Sequence, residues 1–434
     1  MSGQVAIGEF VYQAQAPGGV VNQIMVPEPI RALPRPVRVR PRHDQTRIAR
    51  PSVLADIVDG VARGPVQIVA EDGWGKTSIL AQLAYDSSIE NYSDGIAVIS
   101  AWGLGVEDIE QAIFDAFYES TLPDTTQKVT PGQLRTSFAD ITAAIVVDDL
   151  DIPRQLVDRI MNACPECAFV STASTQTMWS GGSVLDLVRM GPDEALKLFE
   201  QRLGRAMGTG ERDEIAQFIS SVADYPMAIV AAAATVSRGG TLIDMLPTLA
   251  TAADPIGAVH EQVSDAFSTA ETKVLSVLAA VRGAPLPPEA VGVASGVSDA
   301  ETHLEALKHD GIIQKASPRY RLAESTASLL DLPDAHAATV RGLAAWCRDE
   351  PNAHKIAAAG SAIALAMRAA SERSNYNGAI ELGRSADAGL SLSGRWGLWS
   401  GVLDEVSSAS THAGDLFTEG WLLHQLGSRS LVTG

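Results

Sequence analysis

The chain has 434 residues, 46% of them hydrophobic and only 5% aromatic, and carries a formal net charge of −19 with pI ≈ 4.8. Such a length exceeds one core, so about three domains built on Ala, Val and Leu are expected. The charge argues against a general nucleic-acid or anionic-membrane surface, and no apolar run reaches the ~18 residues of a membrane helix.

No signal-peptide pattern opens the sequence. The cysteines are Cys164, Cys167 and Cys347. An odd, sparse set points to a reducing compartment, so a cytoplasmic protein is expected. Cys164-Pro165-Glu166-Cys167 has redox or zinc spacing. No second pair completes a zinc set, so both read as small residues entering a strand.

Residues 1–42 interleave Pro27, Pro29, Pro34, Pro36 and Pro41 with Arg31, Arg35, Arg38, Arg40 and Arg42. They read as an extended or disordered basic arm, with one short strand near Phe10-Val11-Tyr12. Residues 43–180 then alternate apolar runs with helical spacing. Val66-Gln67-Ile68-Val69 leads into Ala70-Glu71-Asp72-Gly73-Trp74-Gly75-Lys76-Thr77-Ser78 and the helical run Ile79–Ala84. Strand, glycine loop, Lys-Thr, helix is the P-loop arrangement. Its glycines let backbone N–H groups surround phosphate oxygens, its lysine reaches the outer phosphates, and its hydroxyl reaches Mg²⁺. Ala70 stands where the motif asks for glycine, which restricts the turn.

Gly95–Ser100 reads as a strand and Val106–Phe117 as a helix. Ala144-Ile145-Val146-Val147-Asp148-Asp149 is the continuous apolar run of a buried parallel strand, ending in two acids. Asp148 would hold Mg²⁺ with Thr77. Asp149 would orient or deprotonate an attacking water, with Lys76 on the phosphates. Asp151 reads as a turn residue before Pro153. Leu156–Met161 and Ala168–Thr172 add a helix and a strand. Alternation of this kind predicts a parallel sheet covered on both faces, with the site at the carboxyl ends of the strands.

Residues 181–252 change to helices near Asp193–Phe199, Glu214–Val222 and Met227–Val236. Residues 253–335 read as helices near Ala270–Val281, Pro288–Ala294 and Asp299–Lys308, then a hairpin over Gly311–Lys315 and Tyr320–Leu322. Three helices and a two-stranded hairpin form the winged-helix pattern. Its third helix carries Asp299, Glu301 and Glu305, the wrong sign for reading DNA. Residues 336–434 read as helices throughout, split by Pro, Gly and Asn signals. Trp421–Gly427 resembles the first helix of a tetratricopeptide repeat. Its partner helix would begin where the chain reaches Gly434, so a fragment of a longer, repeat-bearing protein is expected.

In this order the parts resemble the NB-ARC branch of the STAND ATPases, signal-transduction P-loop switches, over roughly residues 45–330. The resemblance rests on the P-loop from Gly73 to Ser78, the acids Asp148-Asp149, and the strand Phe169–Thr172. It rests also on Asp193–Phe199, on Tyr225-Pro226-Met227-Ala228-Ile229, similar to the family's Gly-x-Pro-Leu motif, and on Ile48-Ala49-Arg50, similar to its Val-Gly-Arg segment. It implies ADP or ATP with Mg²⁺ as cofactors. Gly73, Trp74, Gly75, Lys76, Thr77 and Ser78 would bind the cofactor, with Pro226 and Arg50 near the base; Trp74, which has no family role, would cover the phosphates or the adjoining domain. It implies a switch locked by ADP, self-associating with ATP, and answering a protein or small-molecule signal at the C-terminal helices.

Departures from the family pattern bear on turnover. Ala70 replaces a loop glycine, and Ala173 stands where the family carries a sensor arginine. Ala323 stands where it carries a phosphate-reading histidine, since the Met-His-Asp motif aligns with Leu322-Ala323-Glu324. His309-Asp310 precedes the wing and reads as a helix end. Hydrolysis is therefore expected to be slow or absent. Two alternatives stay open: a pseudo-ATPase scaffold that works through its helical C-terminus, and a winged-helix transcription regulator.

Overall fold

The computed structural model describes residues 3–7, 10–14, 30–43, 47–71, 73–120, 128–178, 181–222, 224–239, 242, 267–310, 312–316, 318–322 and 333–433. Ala323 and Glu324, and with them the aligned phosphate-reading position, lie outside the described residues.

The strands, in chain order, are β1 (Gly3–Ile7), β2 (Phe10–Ala14), β3 (Ile30–Ala32), β4 (Val37–Val39), β5 (Val66–Val69), β6 (Gly95–Ser100), β7 (Tyr118–Ser120), β8 (Ala143–Asp148), β9 (Ala168–Ala173), β10 (Ser183–Asp186), β11 (Ile313–Ala316) and β12 (Arg319–Leu322). Six of them form a parallel sheet in the order β10-β5-β9-β8-β6-β4. β8 lies inside it and is buried at all six positions. Alternate residues point to opposite faces of a strand, so one strand feeds two cores. Ile145 and Val147 join Ile113, Phe114 and Phe117 on one side, while Ala144 and Val146 join Ile68, Ile79 and Leu80 on the other. A strand covered twice must be apolar throughout, which is why its sequence shows no alternation.

Both edges of the sheet lie outside the span 43–180 expected for it. β4 comes from the proline- and arginine-rich arm and pairs with the start of β6, Val37 opposite Gly95. β10 follows residue 180 and pairs with β5. Short edge strands of three and four residues carry too little pattern to stand out. The expected strand at Phe10-Val11-Tyr12 lies within β2, which pairs antiparallel with β1.

Beyond the sheet, helices Pro192–Leu203, Thr209–Ser221 and Pro226–Ser237 are followed by Thr269–Ala280, Pro288–Ser295 and Ala300–His309. The antiparallel hairpin β11–β12 comes next, and Leu286 bridges to Tyr320 at its edge. His309 ends its helix, as expected, and the adjoining Asp310 accepts from Arg238 Nε at 2.8 Å. The remainder is helical: Pro333–Asp349, Ala353–Ala358, Gly360–Glu372, Tyr376–Leu392, Trp396–Ala413 and Leu416–Thr433. One apolar cluster runs through these parts from Met190 to Leu422. Among the described residues, no helix is long and apolar enough to cross a membrane.

The C-terminal helices fold back onto the sheet domain. The buried carboxylate of Asp108, in the helix Val106–Phe117, accepts the Leu398 N–H at 2.7 Å, at the start of Trp396–Ala413. A carboxylate at a helix N-terminus meets unpaired N–H groups and the positive end of the dipole. Burial nonetheless raises the Asp108 pKa above the usual carboxylate range, although Arg395 and these N–H groups oppose it.

Gly95 has φ +100, and a Cβ there would lie 2.0 Å from the Val37 carbonyl oxygen. Gly95→Ala is therefore expected to cost at least the ~1–3 kcal/mol of a strained backbone position. Urea unfolding measures it, and an unchanged midpoint would mean that β4 is not seated on the sheet.

Candidate functional site

The loop after β5 and the end of β8 lie together, and a cleft of 390 Å³ opens above them. Gly75 (φ +92) caps the helix Lys76–Leu83, with no side-chain cap on its first N–H groups. A glycine-led, uncapped helix start offers N–H donors and positive potential to an anion. Gly73 (φ +80) is needed for a second reason: a Cβ there would lie 2.1 Å from the Tyr225 hydroxyl. Trp74, which had no role assignable from sequence beyond covering the loop, packs edge-on against Tyr225 at 5.5 Å. Lys76 is 5% exposed, and its Nζ donates to the Ala70 carbonyl at 2.7 Å. That contact uses backbone, so alanine serves as well as glycine there.

The two acids at the end of β8 have different surroundings. Asp148 is bonded to β9: Thr172 Oγ1 donates to its Oδ1 at 2.6 Å and accepts the Asp149 N–H at 2.9 Å. Asp149, in the left-handed region at φ +57, lines the cleft, whereas Asp148 is not among the lining residues. Asp149 is thus the acid that faces the cleft. Nothing in a threonine inside a buried strand signals its role between the two acids from sequence. Asp151 accepts from the Ser174 N–H and hydroxyl, both at 2.8 Å, which suits the turn expected of it.

Arg321, on β12, reaches the same place from the hairpin. Its Nη1 donates to Asp149 Oδ2 at 2.8 Å and its Nη2 to Thr77 Oγ1 at 3.2 Å. In the sequence this residue reads only as part of a strand. Its available signal is a basic residue beside the position aligned with a phosphate-reading histidine.

Gly73, Trp74, Gly75, Lys76, Thr77, Ser78, Asp149, Pro226 and Arg50 all line the cleft. Pro226 opens its helix at N1. Arg50 is 5% exposed and donates to the carbonyls of Val188 and, at 3.2 Å, Arg189. Its Nη1 is buried with no hydrogen-bond partner among the described residues, and burial lowers its pKa against the pull of Glu194. Among the described lining residues, Arg47, Arg50, Lys76, Arg202, Lys308, Lys315 and Arg321 are basic and Asp149 alone is acidic. Ile48, Met190, Leu198, Met227 and Val230 make an apolar end. In a chain of net charge −19 the cleft is thus basic with an apolar end, Lys308 and Lys315 being paired with Glu305 and Arg321 with Asp149.

The expected likeness to STAND ATPases is borne out at the level of fold. The structure matches that of a Signal Transduction ATPase with Numerous Domains (STAND) protein with a tetratricopeptide repeat sensor from Pyrococcus horikoshii. The TM-score is 0.53 at 13% identity, over 92% of this chain and 70% of that one. The regulatory protein AfsR of Streptomyces griseus is 23% identical over 277 residues, 57% of this chain. The chain spans 28% of that relative's length. No family model matches the sequence.

Burial and the neighbouring Asp148 raise the Asp149 pKa from 3.8 to about 6, against the pull of Arg321 and Lys76. The folded state then holds this proton more tightly than the unfolded chain, so stability falls as pH rises through that window. Asp149→Asn removes the ionisation. Its melting temperature should therefore lack the wild type's fall between pH ~4 and pH ~7, whatever the cost of removing the carboxylate that faces Arg321. Melting curves across pH check this, and a constant difference at every pH would contradict it.

Proposed function

We propose that the chain is a nucleotide-dependent signal-transduction switch of the STAND type, with NB-ARC organisation. The observation that carries this reading is the uncapped, glycine-led helix at Lys76 opening into a cationic cleft beside Asp149. The residues fit a nucleoside di- or triphosphate. The first N–H groups of Lys76–Leu83 and the Lys76 ammonium suit the phosphates. The Nη1 of Arg50 is a buried donor lacking an acceptor among the described residues, and Ile48, Met190 and Pro226 suit the base. Mg²⁺ takes few protein ligands and several from phosphate and water. Thr77 and Asp149 would hold it, with Asp148 behind, and it would neutralise phosphate charge.

In this reading the helices from Thr269 to His309 and the hairpin β11–β12 form a winged-helix unit serving as a cover for the cleft. Glu305 on its third helix is occupied by Lys308, Lys315 and Tyr320, which does not favour DNA reading. The helices from Pro333 onward would form a tetratricopeptide-like sensor. ADP would hold the parts together, and ATP would release them for self-association. Turnover would be slow or absent, because the strand end at Ala173 offers only a buried methyl group.

Nucleotide content of the purified protein tests the reading: denature it and run the supernatant on an ion-exchange column. The expected result is stoichiometric ADP or ATP from wild type and none from Lys76→Ala. Free ADP at about 100 times its Kd should add about 2.7 kcal/mol to the stability of stripped wild type. No nucleotide, and no thermal shift with added ADP and Mg²⁺, would favour the scaffold reading.

A further inference from the structure

We propose that Arg321 is a built-in counter-cation: it holds Asp149 and Thr77 in the place of a metal-bound nucleotide, so that docking of the hairpin and binding of a Mg²⁺–nucleoside triphosphate oppose each other. The inference rests on the nucleotide reading above and adds the residue that couples the cleft to its cover.

Its basis is one guanidinium on two groups of the P-loop domain at once, 2.8 Å from the Asp149 carboxylate and 3.2 Å from the Thr77 hydroxyl. The ion pair is enclosed, with side-chain exposures of 14% for Arg321 and 4% for Asp149. A buried carboxylate requires a positive partner. A guanidinium and a dication brought to the same carboxylate and hydroxyl repel each other strongly in a poorly hydrated site. Each cation therefore weakens the hold of Thr77 and Asp149 on the other.

The guanidinium is aimed from its own strand. Its Nε donates to Gln314 Oε1 on β11 at 3.0 Å, and its Cζ lies 5.5 Å from the Trp102 ring centroid. Its neighbours Tyr320 and Leu322 are buried, and Tyr320 is bridged to Leu286. β12 is thus fixed within its unit, and Arg321 presents that unit to the P-loop. Releasing the guanidinium removes a bond that joins residues 172 and 244 positions apart. Mg²⁺ with a triphosphate would displace it, whereas a nucleotide without metal leaves the pair intact.

Calorimetric titration of nucleotide-stripped protein with ATP, with and without Mg²⁺, tests this on wild type, Arg321→Ala and Arg321→Gln. In wild type Mg²⁺ competes with the guanidinium, so it should raise ATP affinity weakly. In both variants it should raise affinity by at least about tenfold more, within the usual range of coupling between sites. Hydrogen exchange gives a second readout. The backbone of β11 and β12 should exchange faster in the variants without nucleotide, and wild type should reach that rate only with Mg²⁺ and ATP. Equal Mg²⁺ effects in wild type and both variants overturn the inference and leave the nucleotide reading standing. Weaker binding of the variants by the same factor with and without Mg²⁺ also overturns it, making Arg321 a simple phosphate ligand. No heat with any protein overturns both readings.

Discussion

A strand buried on both faces that ends in two carboxylates sets a demand the rest of the molecule meets. Asp148 and Asp149 are 7% and 6% exposed, at the end of β8 between two apolar cores. Water cannot stabilise their charge fully, so protein groups must. Thr172 supplies a hydroxyl to Asp148 and accepts the Asp149 amide. Arg321 supplies a cation to Asp149 from another part of the chain. Even so, burial and the neighbouring Asp148 raise the Asp149 pKa to about 6.

The same demand explains why the cleft is built from several units. The sheet contributes a glycine loop and a carboxylate, both at strand ends. Its own domain's residues, Ile48 and Trp102 among them, supply only part of the wall above them. Pro226 and Met227 form part of that wall, and Ile313, Gln314 and Arg321 another. Arg238 ties the two units, bonding Glu271 at 2.9 Å and Asp310. The C-terminal helices close the arrangement through Asp108 and Leu398. A ligand between such parts would touch each of them, and that is the physical requirement for coupling a binding event to their arrangement.

Departures from the P-loop pattern have local consequences. The glycine missing at Ala70 costs little, because its carbonyl is what Lys76 uses. Ala173 is wholly buried at the end of β9, so no polar side chain there reaches the cleft. The Cys164–Cys167 pair belongs to the approach to β9. Cys164 closes the helix Arg154–Ala163, and Cys167 Sγ donates to the Ile141 carbonyl at 3.2 Å. The hydrogen bond with the adjoining Cys167, and then burial, push the Cys164 thiol far up, the mark of an unreactive cysteine.

Local pattern decided much of this protein. Val66–Val69, Gly95–Ser100 and Val106–Phe117 are legible to the residue, because long apolar runs and helical spacing record burial directly. The glycine loop and the paired acids are legible because their chemistry needs particular residue types at short spacing. Tertiary structure alone decided the rest. The edge strands β4 and β10 exist through their partners, since three or four residues carry no period of their own. Which acid faces the cleft depends on the left-handed turn at Asp149 and on Thr172, which lies 23 residues further on. Arg321 is an unremarkable strand residue until folding brings it across 172 positions to Asp149, because charge pairing acts through space and leaves no spacing in the chain.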